Sequence, residues 1–344
     1  MKPLPAINWN AISRKRGELM GFAMLIIVLF HVYLPRADHF FGLRRTGNIG
    51  VDFFFFLSGM GLWYAWTKAR QRQPGLPFKR LYRKFIYRRL IRIYPAWLLM
   101  ASLYYVPDYL SHGGHSTSIV DLLGDILVNW DFWLHDELTF WYIPAILFFY
   151  WVSPFYMELI RRHPDYRWLP LLMVVWCVMV QWVTPVHQTV GHIEIFWSRM
   201  PIFFIGVNCG EWIRQEKTHD GSSWWLVLLF VLLPLAASIH MEQMHHGRFP
   251  LFIGRMLYIP LTVAGCLLLA HLLEKTPRFI GRILAFVGTI SLEVYLIHVH
   301  FVLRYIEPHH LGYWPTALLC LLITLPLAWL LHKTVDFIVK KLPQ

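Results

Sequence analysis

Ten stretches of the chain are apolar for most of a membrane's thickness, with short polar breaks between them: 18–34, 49–67, 93–107, 139–160, 168–185, 195–213, 223–240, 250–273, 282–303 and 313–334. A hydrocarbon core of roughly 30 Å takes about 20 residues of helix, so each stretch predicts one spanning helix. An eleventh stretch, 119–134, is shorter and carries Asp121, Asp125 and Asp131; three acids in one short run predict an interfacial or re-entrant helix. The predicted architecture is therefore all-α: about ten transmembrane helices and one extra interfacial or re-entrant helix. It forms a single integral-membrane domain over residues 1–344, with spans from about 18 to 334. No fixed-period repeat, low-complexity tract or soluble domain interrupts it. The first run lacks a small-residue cleavage site and is expected to remain a helix rather than be removed as a signal peptide.

Composition strengthens this reading. Apolar residues make up 57% of the chain, charged residues 15%, and mean hydropathy is +0.45. These values exclude an ordinary soluble fold, a disordered chain and a collagen-like one. The net charge of +12 matters through its placement. Ten Lys/Arg and no acid lie between Lys68 and Arg92, and no Lys or Arg follows from Ile93 to Ile160. That asymmetry is the positive-inside pattern and not a nucleic-acid surface. Alternating basic connections put both termini in the cytoplasm of a multi-pass protein. Residues 35–48 depart from the alternation with Arg36, Arg44 and Arg45 on the outer side. They read equally as a tolerated loop or as an anion-binding lip. The four cysteines stand singly in apolar segments, and no ligand spacing among the histidines predicts a metal site.

An ionisable side chain inside a span costs several kcal/mol, so each marks a candidate site. His31 lies about 20 Å along an outward-running first helix at 1.5 Å per residue. Asp52 opens the second helix, Glu194 and Arg199 the sixth and Arg255 the eighth, while Glu293, Tyr295 and His298 fall in the later half of the ninth. All are expected at one outer level. Arg199 and Arg255 could equally pair with Glu194 and Glu293 to hold the bundle. His332 and Asp336 lie at the cytoplasmic end of the last helix, away from that level. A second constellation is cytoplasmic: Arg88, Arg89 and Arg92 precede Ile93, and the spacing of Arg89 and Arg92 puts both on one helix face, fit to grip one anion or to sit among lipid phosphates.

Six blocks of the sequence, in order, resemble the acyltransferase 3 family of bacterial integral-membrane O-acyltransferases. They are ELMGFAMLIIVLFH ending at His31, GVDFFFFLSG (Gly50–Gly59), RRLIRIYP (Arg88–Pro95), FWYIPAIL (Phe140–Leu147), RMPIFFIG (Arg199–Gly206) and SLEVYLIH (Ser291–His298). Many family members carry an Arg eleven positions before the first-helix histidine; this chain has Met20 there, with Arg16 one turn nearer the cytoplasm as the substitute.

The resemblance implies transfer of an acyl group, usually acetyl, from cytoplasmic acyl-CoA as co-substrate to a hydroxyl of a cell-surface glycan or lipid-linked saccharide, across the bacterial inner membrane and with no permanently bound cofactor. On that reading Arg88, Arg89 and Arg92 hold CoA, and His31 is the general base, a covalent acyl-histidine being the alternative. Asp52 orients His31 or serves the acceptor, and Arg199, Tyr142 and Ser58 are candidate oxyanion donors. Trp141, Glu194, Glu293, His298 and Arg45 are expected near the acceptor, with 108–141 as a sugar-binding lip. The rival class is a transporter using the same embedded charges; a non-catalytic scaffold gives no reason to keep them.

Overall fold

The structure is a computed structural model and describes residues 5–341. Its principal helices are α1 (Arg16–His31), α2 (Ile49–Arg72), α3 (Phe78–Leu110), α4 (Ile119–Val128), α5 (Trp130–Leu134), α6 (Tyr142–Arg162), α7 (Pro170–Trp182), α8 (Met200–Arg214), α9 (Trp224–His245), α10 (Leu251–Lys275), α11 (Arg278–Thr289), α12 (Ser291–Ile297) and α13 (Tyr313–Val339). The sheet among the described residues is a two-residue antiparallel ladder of β1 (Ile7–Asn8) with β2 (Thr218–His219). It pins the N-terminal segment to the connection after α8, where Trp9 N–H also donates to Lys217 O at 3.1 Å.

Among the described residues, five helices are long and apolar enough to cross a membrane, and up to seven if each of two bent pairs is one span. The bends are 93° between Pro164–Trp182 and Thr184–Trp197, and 62° between Arg278–Thr289 and Ser291–His309. Three of the ten expected stretches fall short for separate reasons. The helices α1 and α8 have 16 and 15 residues, so each is only about 24 Å long or less. The apolar part of α3 is diluted by tyrosines and holds Pro95 and Pro107 within the helix.

The short helices occupy the middle of the bundle, where close packing takes the place of lipid contact. A Cβ on Gly21 would collide with the backbone carbonyl of Leu284, and one on Gly288 with that of Gly17, so α1 and α11 touch backbone to backbone. Gly59 and Gly206 let α2 and α8 approach each other in the same way, against the carbonyls of Phe203 and Phe56. Small residues at helix crossings are the usual means of packing where lipid and side chains are equally apolar. From Ile49 to Met60, α2 is buried at every position, Asp52 included.

The expected interfacial helix is two short ones, α4 and α5, and its acids serve its own folding. Ser118 caps α4 by accepting from Asp121 N–H at 3.1 Å, and Asn129, left-handed at φ 55°, ends α4 and starts α5. Asn129 also donates to Thr139 O at 2.8 Å. Asp125 accepts from Ser116 Oγ at 2.7 Å and from Asp131 N–H at 3.0 Å, while Asp131 accepts from His115 Nδ1–H at 3.1 Å. Burial, and then the neighbouring Asp125, push the Asp131 carboxyl up to about 6 against the pull of His115.

Candidate functional site

The last turn of α1 presents His31 to a helix that changes its winding. After α12, residues His298–Leu303 form a π-helical turn, a wider coil that recurs at functional sites. His298 Nδ1 lies 2.9 Å from Val294 O and 3.0 Å from Tyr295 O. Carbonyls only accept, so Nδ1 carries the hydrogen and Nε2 keeps its lone pair. That Nε2 faces His31 Nδ1 at 3.2 Å, and His31 Nδ1 also lies 2.9 Å from Ile27 O. Both partners of His31 Nδ1 are acceptors, which puts its proton there and leaves its Nε2 as a free base. His298 is fully buried and His31 partly so.

Three pairs of opposite charge also lie at this end of the bundle. Asp52 and Arg199, both fully buried, lie 3.7 Å apart across α2 and the start of α8. Arg199 also donates to Asn48 Oδ1 at 3.2 Å and stacks 5.2 Å from the centre of the Trp141 ring. Arg255 on α10 pairs with Glu194 and reaches Ser198 Oγ at 3.5 Å. Arg45 Nε donates to Glu242 Oε2 at 3.2 Å. None of these residues lines a cavity described below.

An arginine-lined cavity lies at the other end, where both described termini sit. A cavity of about 610 Å³ has a mouth lined by Ser13, Arg16, Arg88, Arg89, Arg92 and Asp336. It runs past Ser58, Tyr150, Glu293 and His332 to a blind end at Met24, Ile27, Tyr142 and Tyr295. Ile27 and Tyr295 supply carbonyls to His31 and His298, so the cavity stops about one helical turn, roughly 5 Å, short of the imidazole pair. Its basic groups are positioned and only partly satisfied. Arg16 Nε donates to Leu57 O at 3.3 Å. Arg89 lies 5.0 Å from the centre of the Phe85 ring, and its Nε is buried with no hydrogen-bond partner among the described residues. At the blind end, Tyr142 N–H donates to the Tyr295 hydroxyl oxygen at 3.2 Å, leaving that hydroxyl's own hydrogen to donate elsewhere.

The family model described as an acyltransferase domain, Acyl_transf_3, matches residues 19–333. The chain belongs to the acyltransferase 3 family. It is a multi-pass membrane acyltransferase. No curated protein and no solved structure matches it. The match takes in His31, Asp52, the arginines of α3 and His298, and leaves out Arg16 and Asp336.

In this acyltransferase the expected single outer level divides into four groups. His31 meets His298, and Asp52 has no hydrogen bond to His31 but pairs with Arg199. Glu194 takes Arg255. Glu293 joins neither arginine: its Oε1 accepts from His332 Nδ1–H at 2.8 Å, in the cavity at the opposite end. His332 and Asp336 lie away from the outer level, as expected; it is Glu293, expected at that level, that the structure places beside them. Tyr142 and Ser58 line the cavity, whereas Arg199 and Trp141 pack against each other outside it. Sequence reasoning also passed over a polar chain beyond His298. His300 packs 4.9 Å from the Tyr104 ring, Tyr104 O–H donates to His115 Nε2 at 3.2 Å, and His115 donates to Asp131. Only the position of His300, two residues after His298 in the last block of the resemblance, could have signalled it.

Proposed function

We propose that the protein transfers an acyl group, acetyl in the simplest case, from cytoplasmic acyl-CoA to a hydroxyl of a glycan or lipid-linked saccharide on the outer side of a bacterial inner membrane. The observation that carries this reading is one cavity reaching from four arginines at the basic end to within one helical turn of the histidine pair. Arg16, Arg88, Arg89 and Arg92 offer charge-assisted donors to the phosphates of CoA, and the pantetheine arm extends up the cavity towards Tyr142 and Tyr295. The positive-inside rule makes that basic end, with both termini, cytoplasmic.

His31 Nε2 takes the proton of the acceptor hydroxyl as its oxygen attacks the thioester carbonyl. The carbon–sulfur bond breaks, and His31 returns the proton to the departing CoA thiolate, so the imidazole ends as it began. His298 holds the tautomer that makes this possible, the role an orienting partner plays in a catalytic pair. The hydroxyls of Tyr295 and Tyr142, with Ser58, donate to the developing oxyanion in this reading. Asp52, Arg199, Arg255 and Glu194 fix the helices around them. Purified His31→Ala should bind acetyl-CoA with unchanged affinity and lose transfer by about 10³-fold; transfer that persists would remove His31 as the base.

A further inference from the structure

The acyltransferase's cavity has an acidic wall that phosphate binding does not explain. Glu293 is 4% exposed, its Oε1 takes the His332 Nδ1–H at 2.8 Å, and its Oε2 has no hydrogen-bond partner among the described residues. Asp336 Oδ2 stands 3.6 Å from His332 Nε2 on the far side of the imidazole. All three residues line the same cavity as the arginines. A buried carboxylate oxygen without a donor costs free energy unless something supplies one. One beside a cluster of anion-binding arginines would also repel a phosphorylated ligand, so its place there is explained by an N–H donor on that ligand.

We propose that Glu293, oriented by His332, is the acceptor for a secondary-amide N–H of the donor's pantetheine arm. It would set how far the thioester reaches towards His31. This rests on the acyl-CoA reading above. Glu293 lies only two residues before Tyr295, whose hydroxyl is at the blind end, so an amide held there leaves the shorter acyl-thioester end of the arm to span the remaining distance. His332 is a positioning residue: its Nδ1–H holds one carboxylate oxygen and turns the other to the cavity.

The test compares two ligands on the purified full chain. Acetyl-CoA carries both phosphates and pantetheine, whereas adenosine 3′,5′-bisphosphate carries phosphates alone. Glu293→Gln should weaken acetyl-CoA about tenfold, as expected for losing a charge-assisted hydrogen bond, and leave adenosine bisphosphate within threefold. His332→Leu should do the same, and His332→Asn, whose amide can replace the Nδ1–H, should restore most of the loss. Retained adenosine bisphosphate binding shows in the same sample that each variant is folded. Equal weakening of both ligands, or no change in either, overturns the proposal while leaving the acyl-CoA reading standing. Failure of the unmodified protein to bind acetyl-CoA at all would instead overturn the reading on which it rests.

Discussion

The two ends of the bundle hold buried charge in opposite ways. Around Asp52, Arg199, Arg255 and Glu194 each charge faces an opposite one away from the arginine-lined cavity, although both Asp52 oxygens and Glu194 Oε1 accept no hydrogen bond among the described residues. Around Arg16, Arg89, Arg92 and Glu293 the charges line a cavity. Charge that is paired and sealed holds helices in place, and its removal is felt in stability. Charge left facing a cavity contributes little to the empty protein and is felt when a ligand arrives. His31 and His298 stand between the two, fixed by backbone carbonyls and one turn from the cavity.

Substitutions can break that contrast. The largest effect should be Arg199→Ala, which leaves Asp52 buried and uncompensated at about 3–5 kcal/mol. Thermal melting in detergent should show a severe loss, and Asp52→Asn in the same chain should recover much of it; a variant as stable as the parent would deny the sealed end its structural role. Next is His298→Leu, expected to lower kcat about 100-fold, or about 2.7 kcal/mol, with KM for acetyl-CoA unchanged. A rise in KM alone would move His298 from orienting the base to binding the donor. Arg89→Ala with Arg92→Ala should weaken acetyl-CoA about tenfold and flatten the salt dependence of binding, while melting of the empty protein shifts little. Unchanged affinity would return the pair to contacts with lipid phosphates.

The smallest effect concerns the short helices near the far end. Because the Asp131 carboxyl is raised to about 6 by burial and Asp125, the folded protein holds this proton more tightly than the unfolded chain. That contribution to stability is present at low pH and is lost as the pH rises from about 4 through about 6. Melting between pH 5 and 7 should therefore contain a downward component of roughly 2 °C that Asp131→Asn removes. An identical pH profile for both proteins would contradict the raised Asp131 carboxyl.

Much of the scaffold was legible in the sequence because lipid imposes length and polarity on helices directly. The apolar runs that became α6, α9, α10 and α13 needed no partner to be recognised. The acids of 119–134 marked a segment that does not span. His31 stood out for the same reason, as a polar group at the end of an apolar helix. Pairings were not legible, since period and depth assume straight helices. The 62° bend between α11 and α12 redirects the segment that carries Glu293, and the π-helical turn after it sets the winding at His298. Glu293 therefore went to His332, and Asp52, which the sequence placed near His31, went to Arg199. The short helices α1 and α8 are likewise packed through glycine crossings that a hydropathy pattern does not reveal.

The most direct test of the central claim is side-specific labelling of Ser58→Cys, midway along the cavity, in sealed vesicles of known orientation. The account predicts reaction with a charged, membrane-impermeant thiol reagent from the basic face alone, above the background of the parent protein's four buried cysteines, and protection by acetyl-CoA. Labelling from the opposite face, or labelling that acetyl-CoA does not slow, would contradict it.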